Sequence, residues 1–231
     1  MSARPCAALD RFRLLAAILV VAVHTAPLAS YSPVGDRYLT RVLGRVAVPF
    51  FLMVSGYFLA QKEWRHTRRF LKRIALLYVV CVSSYLPLNA YAGQLTSDFF
   101  RRLVTDGTFY HLWYFPALLL GVPIARWLSR SGTRTALLLA GVLYLLGLGG
   151  DSYYGLAVRL PALQAVYDVI FQVFTYTRNG LFFVPLFVLM GAAGQRFSRK
   201  QSICGLSLSF LLMSIDACWP PALGVPRHDS M

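Results

Sequence analysis

The sequence predicts an all-α fold, a polytopic transmembrane helical bundle of about seven spans. Three observations predict it. The chain is 57% hydrophobic with a mean hydropathy of +0.57, against the roughly 45–50% apolar share of a soluble domain. The apolar residues fall into runs of about 20, the length of a helix that crosses a bilayer core. Basic loops alternate with those runs, as the positive-inside rule describes. A transmembrane barrel would show short segments of alternating hydrophobicity, and the sequence has none.

The runs lie at 12–30, 42–60, 74–92, 111–128, 134–150, 181–197 and 203–219. Fifteen Lys and Arg residues sit in the N-terminal segment and in the loops at 61–73, 126–134 and 196–200. Seven sit in the opposite loops and the tail. This bias places the N-terminus in the cytoplasm, with the chain multi-pass in the cell membrane. It also accounts for the net charge of +14 without nucleic acid, because no soluble basic face exists to hold a duplex. Cys6, Cys81, Cys204 and Cys218 show neither metal-ligand nor disulfide spacing. The first run lacks a small-x-small cleavage site and reads as a retained anchor rather than a signal peptide. Residues 1–200 form the membrane domain. Residues 201–231 hold the last candidate span and an irregular tail.

The first span carries the most informative pair. In FRLLAAILVVAVHT, ten residues separate Arg13 from His24. That is about 16 Å along a helix, roughly half a bilayer core, with both side chains on about the same face. His24 reads as buried in the apolar body of the helix. An ionisable group there is costly and points to function. A neutral imidazole can accept a proton as a general base; a packing hydrogen bond to a neighbouring helix is the plainer reading.

The second span, RVAVPFFLMVSGYFL, opens on Arg45, which faces a partner, a cavity or the headgroups because its charge persists at any relevant pH. Pro49 kinks or loosens that helix. Ser55 and Gly56 allow close helix approach. At the head of the fourth span, FYHLWYFP reads as an aromatic belt, with His111 either interfacial or a second polar group at an outer cavity. Between the fifth and sixth spans, PALQAVYDVIFQVFTY reads as an interfacial or re-entrant helix. Arg178 and Asn179 stand where the sixth span begins, as interface anchors. Together these residues put a base in the membrane with cations below it (Arg11, Arg13) and above it (Arg45). That arrangement suits a thioester or anionic substrate, and equally a proton or substrate path in a transporter.

Arg13-x10-His24, then Arg45-VAVPFF, Ser55-Gly56-Tyr57 and His111-Leu-Trp-Tyr, resemble the acyltransferase-3 family of integral-membrane acyltransferases. Within it, FRLLAAILVVAVHTAPLAS, RVAVPFFLMVSGYFL and YTRNGLFFVPLFVLMGA are similar to the membrane half of the serine racemases of vancomycin-resistance clusters. The resemblance runs from about residue 8 to residue 200 and labels that stretch an acyltransferase-3-like domain. It implies transfer of an acyl group from acyl-CoA (often acetyl-CoA) to a hydroxyl or amine acceptor. It implies His24 as catalytic base, Arg13 as a required cation, and Arg45, Ser55 and His111 on the substrate side of the same cavity. No metal or bound prosthetic group is implied. Family members usually carry more spans than seven, so the chain reads as a shortened copy. The missing helices or a racemase domain would then be supplied by another chain. Racemase chemistry on this chain is not expected, because its only lysines, Lys62, Lys72 and Lys200, lie at the cytoplasmic loops. Two alternatives stay open beside the enzyme: a membrane module that delivers L-serine, and an inactive fragment.

Overall fold

A computed structural model describes residues 7–93, 95–194 and the single positions 200, 207 and 211. Among the described residues every regular element is helical. In chain order the α-helices are α1 (Ala7–Thr25), α2 (Pro33–Tyr38), α3 (Ala47–Gln61), α4 (Thr67–Tyr91), α5 (Phe99–Thr105), α6 (Tyr114–Leu128), α7 (Thr133–Gly150), α8 (Tyr154–Ala157), α9 (Pro161–Val173) and α10 (Val184–Ala193). Four helical stretches are long and apolar enough to cross a membrane: Pro33–Gln61, Thr67–Tyr91, His111–Ser131 and Thr133–Gly150. They are the second to fifth predicted runs. The first run forms α1, whose apolar character is diluted by Asp10, Arg11 and Arg13 in its lower turns. The sixth run, 181–197, contains α10, and its positions 195–197 lie outside the described residues. The seventh, 203–219, lies outside them apart from 207 and 211.

Element ends follow local chemistry. The first run was expected to continue to residue 30, yet α1 stops at Thr25. Ala26 takes a positive φ of 44°, and Pro27 behind it disfavours the helical conformation at Ala26. The next stretch begins earlier than expected, at Pro33, because the Ser32 side chain accepts a hydrogen bond from the Gly35 amide at 3.0 Å and caps the helix. It then passes through a π turn at Leu39–Leu43 and a 3-10 turn at Gly44–Val46 before α3. Pro49 cannot donate to the carbonyl four residues back, that of Arg45, so the irregular geometry sits where the helical ladder is already broken.

Helices α3, α6, α7 and α10 enclose the core. Leu52, Leu118, Val122, Ala125, Ala136, Ala140, Val184 and Val188 are almost wholly buried there. The tightest crossing is α3 on α10. A Cβ added at Gly56 would run into the Val188 carbonyl, and one at Gly191 into the Met53 carbonyl. Two glycines thus let two backbones touch, as small residues do in membrane bundles. The close approach expected at Gly56 is realised there. Ser55 takes another course, donating to its own helix at the Phe51 carbonyl, 2.9 Å away.

Helices α1 and α4 lie on the outside and leave Leu14, Ile18, Val21, Leu76 and Val79 largely exposed, as lipid-facing side chains are in a bundle. Polar staples hold the end of the bundle where α1 finishes and α6 starts. Asp106, buried, accepts hydrogen bonds from the Thr175 amide (3.1 Å), the Thr175 hydroxyl (2.8 Å) and the Thr105 hydroxyl (2.8 Å). Thr177 donates to the Gly147 carbonyl at 2.7 Å. Asn179, expected as an interface anchor, is 2% exposed. Its Oδ1 accepts from the Leu181 and Phe182 amides at 2.9 and 3.2 Å, so it builds the turn into α10.

Candidate functional site

Chain direction gathers the polar residues at one end of the bundle. Helix α1 rises to His24 in its last turn, α4 rises past Tyr85, and α6 descends from His111. The His24 and His111 rings meet edge to face, with centroids 6.2 Å apart. His111 Nε2 and the Tyr85 hydroxyl share a hydrogen bond of 3.0 Å. Phe109 stacks on Tyr85 at 4.9 Å and meets His111 at 5.4 Å, closing one side of the cluster. Both histidines are exposed. The expectation that His24 is buried in an apolar helix body is therefore corrected. The Ala26–Pro27 stop ends the helix one residue after it, and the ring projects from the helix end.

Arg45 starts next to this cluster. Gly44, one residue before it, packs directly on Val23, one residue before His24. The guanidinium acts electrostatically on Tyr144 of α7, as do Asp151 and Tyr153. A second polar set lies alongside. Arg178 pairs with Asp151 at 3.8 Å and sits over the Trp113 ring at 5.9 Å. Arg178 and Asp151, with Tyr144, Gly147, Thr177 and Phe183, line a small cavity of about 30 Å³, room for about one water. Trp113 follows His111 by two residues, so one 3-10 turn, Tyr110–Trp113, serves both sets.

Arg13 is not part of this gathering. It lies near the other end of α1, bonded to Asp10 at 2.8 Å and placed over Phe58 at 5.2 Å. Eleven positions of helical rise, about 16 Å, separate it from His24. Ser55 lies down α3 with its hydroxyl committed to its own backbone. The structure thus brings together His24, His111 and the approach of Arg45, and leaves Arg13 and Ser55 apart from them. It adds Tyr85, Tyr144 and Asp151, which the sequence did not single out. A tyrosine in a membrane helix carries no local signal, and Asp151 reads as an ordinary outer-loop acid.

The fold and this cluster define a helical membrane protein with a histidine pair at one end of its bundle. The chain belongs to the acyltransferase-3 family, whose model, described as an acyltransferase domain, matches residues 7–219. Among curated proteins it is 40% identical over 236 residues to an amino-acid racemase of Enterococcus faecalis, covering 96% of this chain and 33% of that protein. It is 35% identical over 241 residues to a serine/alanine racemase of Enterococcus gallinarum, covering 96% of this chain and 34% of that protein. The chain therefore spans about a third of the length of the curated relatives it matches. No solved structure matches it.

Proposed function

We propose that this chain is an integral-membrane acyltransferase that carries an acyl group from acyl-CoA to a hydroxyl or amine acceptor, with His24 as general base. The observation that carries the reading is the His24–His111–Tyr85 cluster in a chain of the acyltransferase-3 family. His24 takes the acceptor proton as the acceptor oxygen or nitrogen attacks the thioester carbonyl. The tetrahedral oxyanion collapses, the C–S bond breaks, and the thiolate leaves with the proton that the imidazole returns. His111, held by Tyr85, lines the acceptor side, and Arg45 supplies positive charge for the oxyanion. Arg13, at the cytoplasmic end of α1, holds the anionic donor, consistent with the charge bias. Acyl-CoA is a substrate here, and no resident cofactor is required.

The test is acyl-CoA turnover by the purified full chain in detergent, with His24→Ala alongside. General-base removal costs about 10²–10⁴ in rate, so the variant should fall at least a hundredfold while remaining folded. Undiminished transfer in the variant would falsify the assignment.

A second reading rests on the relatives, which are named racemases and are about three times as long. In it the chain is the membrane module that delivers L-serine to a racemase domain on another chain. Serine flux into proteoliposomes above that of empty vesicles, without acyl-CoA, would favour it.

A further inference from the structure

At the end of the bundle remote from His24, a cavity of about 570 Å³ opens between α4 and α6. Its rim carries four cations: Arg68 and Lys72 from α4, Arg126 from α6, and Arg130 from the turn that follows. Its wall is apolar: Leu71, Ala75, Leu119, Pro123 and Trp127. The spacing shows that this is one face of each helix. Residues 68, 71, 72 and 75 repeat at three and four, as do 119, 123, 126, 127 and 130.

Basic residues at loop ends are usually topology signals and no more. Three features set these four apart. They converge from two helices on one cavity, whereas Arg65, Arg69, Arg73 and Arg134 do not line it. Among the described residues no acidic side chain lines it. Among the described residues none of the four has an ion-pair partner, while neighbouring Arg65 pairs with Glu63 at 3.1 Å.

We propose that this groove binds an anionic phospholipid, its phosphate on the four cations and its acyl chains along the apolar wall. The order of the lining decides the ligand class. Charges crown the groove, and apolar side chains continue along α6 for about two turns below them, to Leu119. That is the polarity profile of a lipid, and basic pockets between membrane helices suit such headgroups. A nucleotide fits less well. Among the described lining residues the uncharged hydrogen-bonding side chains are Thr67, whose hydroxyl already donates to the Trp64 carbonyl at 2.7 Å, and Trp127, whose indole only donates. No amide or carboxylate side chain stands among them to read a base or hold a ribose. Trp127, 65% exposed, follows Arg126 directly and stands where the cation rim meets the apolar wall. The proposal is independent of the catalytic reading above.

The test uses the full chain in phosphatidylcholine nanodiscs with rising fractions of phosphatidylglycerol brominated on its acyl chains. The readout is quenching of Trp127, taken as the difference between the parent and Trp127→Phe. Saturation is expected at a low fraction of the anionic lipid. Each cation near an anionic headgroup is worth about fivefold in affinity. Arg126→Gln/Arg130→Gln should therefore raise the half-saturating fraction roughly twenty-five-fold, and Arg68→Gln/Lys72→Gln should do the same from the other wall. Arg65→Gln/Arg134→Gln, equal in charge but outside the groove, should leave it unchanged. A control pair that shifts as far as the groove pairs would overturn the proposal. So would equal quenching by brominated phosphatidylcholine, or reversal of the quenching by added coenzyme A.

Discussion

The crossing of α3 and α10 predicts that the smallest side chain at Gly56 is expensive. In Gly56→Ala the added methyl meets the Val188 carbonyl of the facing backbone, which cannot rotate away as a side-chain tip could. The two helices must part by on the order of an ångström, and a gap of that size forfeits a quarter to a half of each dispersion contact. Leu52, Leu59, Val184, Val188 and Leu189, all buried, belong to the core around the two helices. In a bilayer these residues gain from packing rather than from leaving water, because lipid tails are as apolar as their neighbours. Overpacking at such a contact costs about 1–3 kcal/mol, the destabilisation expected here. The assay is unfolding of the detergent-solubilised protein followed by circular dichroism. Gly141→Ala is the control. A Cβ at Gly141 meets nothing, so alanine there should be neutral or stabilising by up to ~1 kcal/mol through helix propensity. The reasoning fails if Gly56→Ala unfolds within about 0.5 kcal/mol of the parent, or if Gly141→Ala is equally damaging.

Other perturbations test the remaining links. Tyr85→Phe removes the hydrogen bond to His111 and keeps the ring stacked on Phe109. At about 0.5–1.5 kcal/mol for one hydrogen bond, acyl transfer should fall about three- to tenfold with little change in stability. Asp106→Asn weakens charge-assisted bonds from Thr175 and Thr105. The Thr175 amide should lose protection in hydrogen exchange by about 2–3 kcal/mol, while amides of α3 and α10 keep theirs. Burial pushes the Tyr167 phenol above its ordinary value of 10.0, and its hydroxyl donates to the Leu146 carbonyl at 2.8 Å. The folded protein holds that proton more tightly than the unfolded chain. This contribution is therefore full below about pH 10 and is lost as pH rises through the folded value. Tyr167→Phe should flatten the alkaline limb of a stability–pH profile, and an unchanged limb would count against the assignment.

The sequence by itself determined the helical membrane class, because bilayer thickness imposes runs of about twenty apolar residues that show without any tertiary knowledge. It also marked Gly56 as a point of close helix approach and His24 as a residue out of place in an apolar run. What it could not supply was the surroundings of each. Periodicity relates residues within one helix, whereas the distances that matter here join separate helices. His24 meets His111 across 86 intervening positions in the sequence, and Gly56 finds its counterpart in Gly191. Tyr85 enters the site only because α4 ends beside the start of α6. Even the reading of His24 as buried turned on one local detail, the Ala26–Pro27 stop that brings the helix end to the histidine. The grouping of four cations over an apolar wall is likewise a fact of helix facing. In the chain they are ordinary loop charges, and only the packing of α4 against α6 makes them one groove.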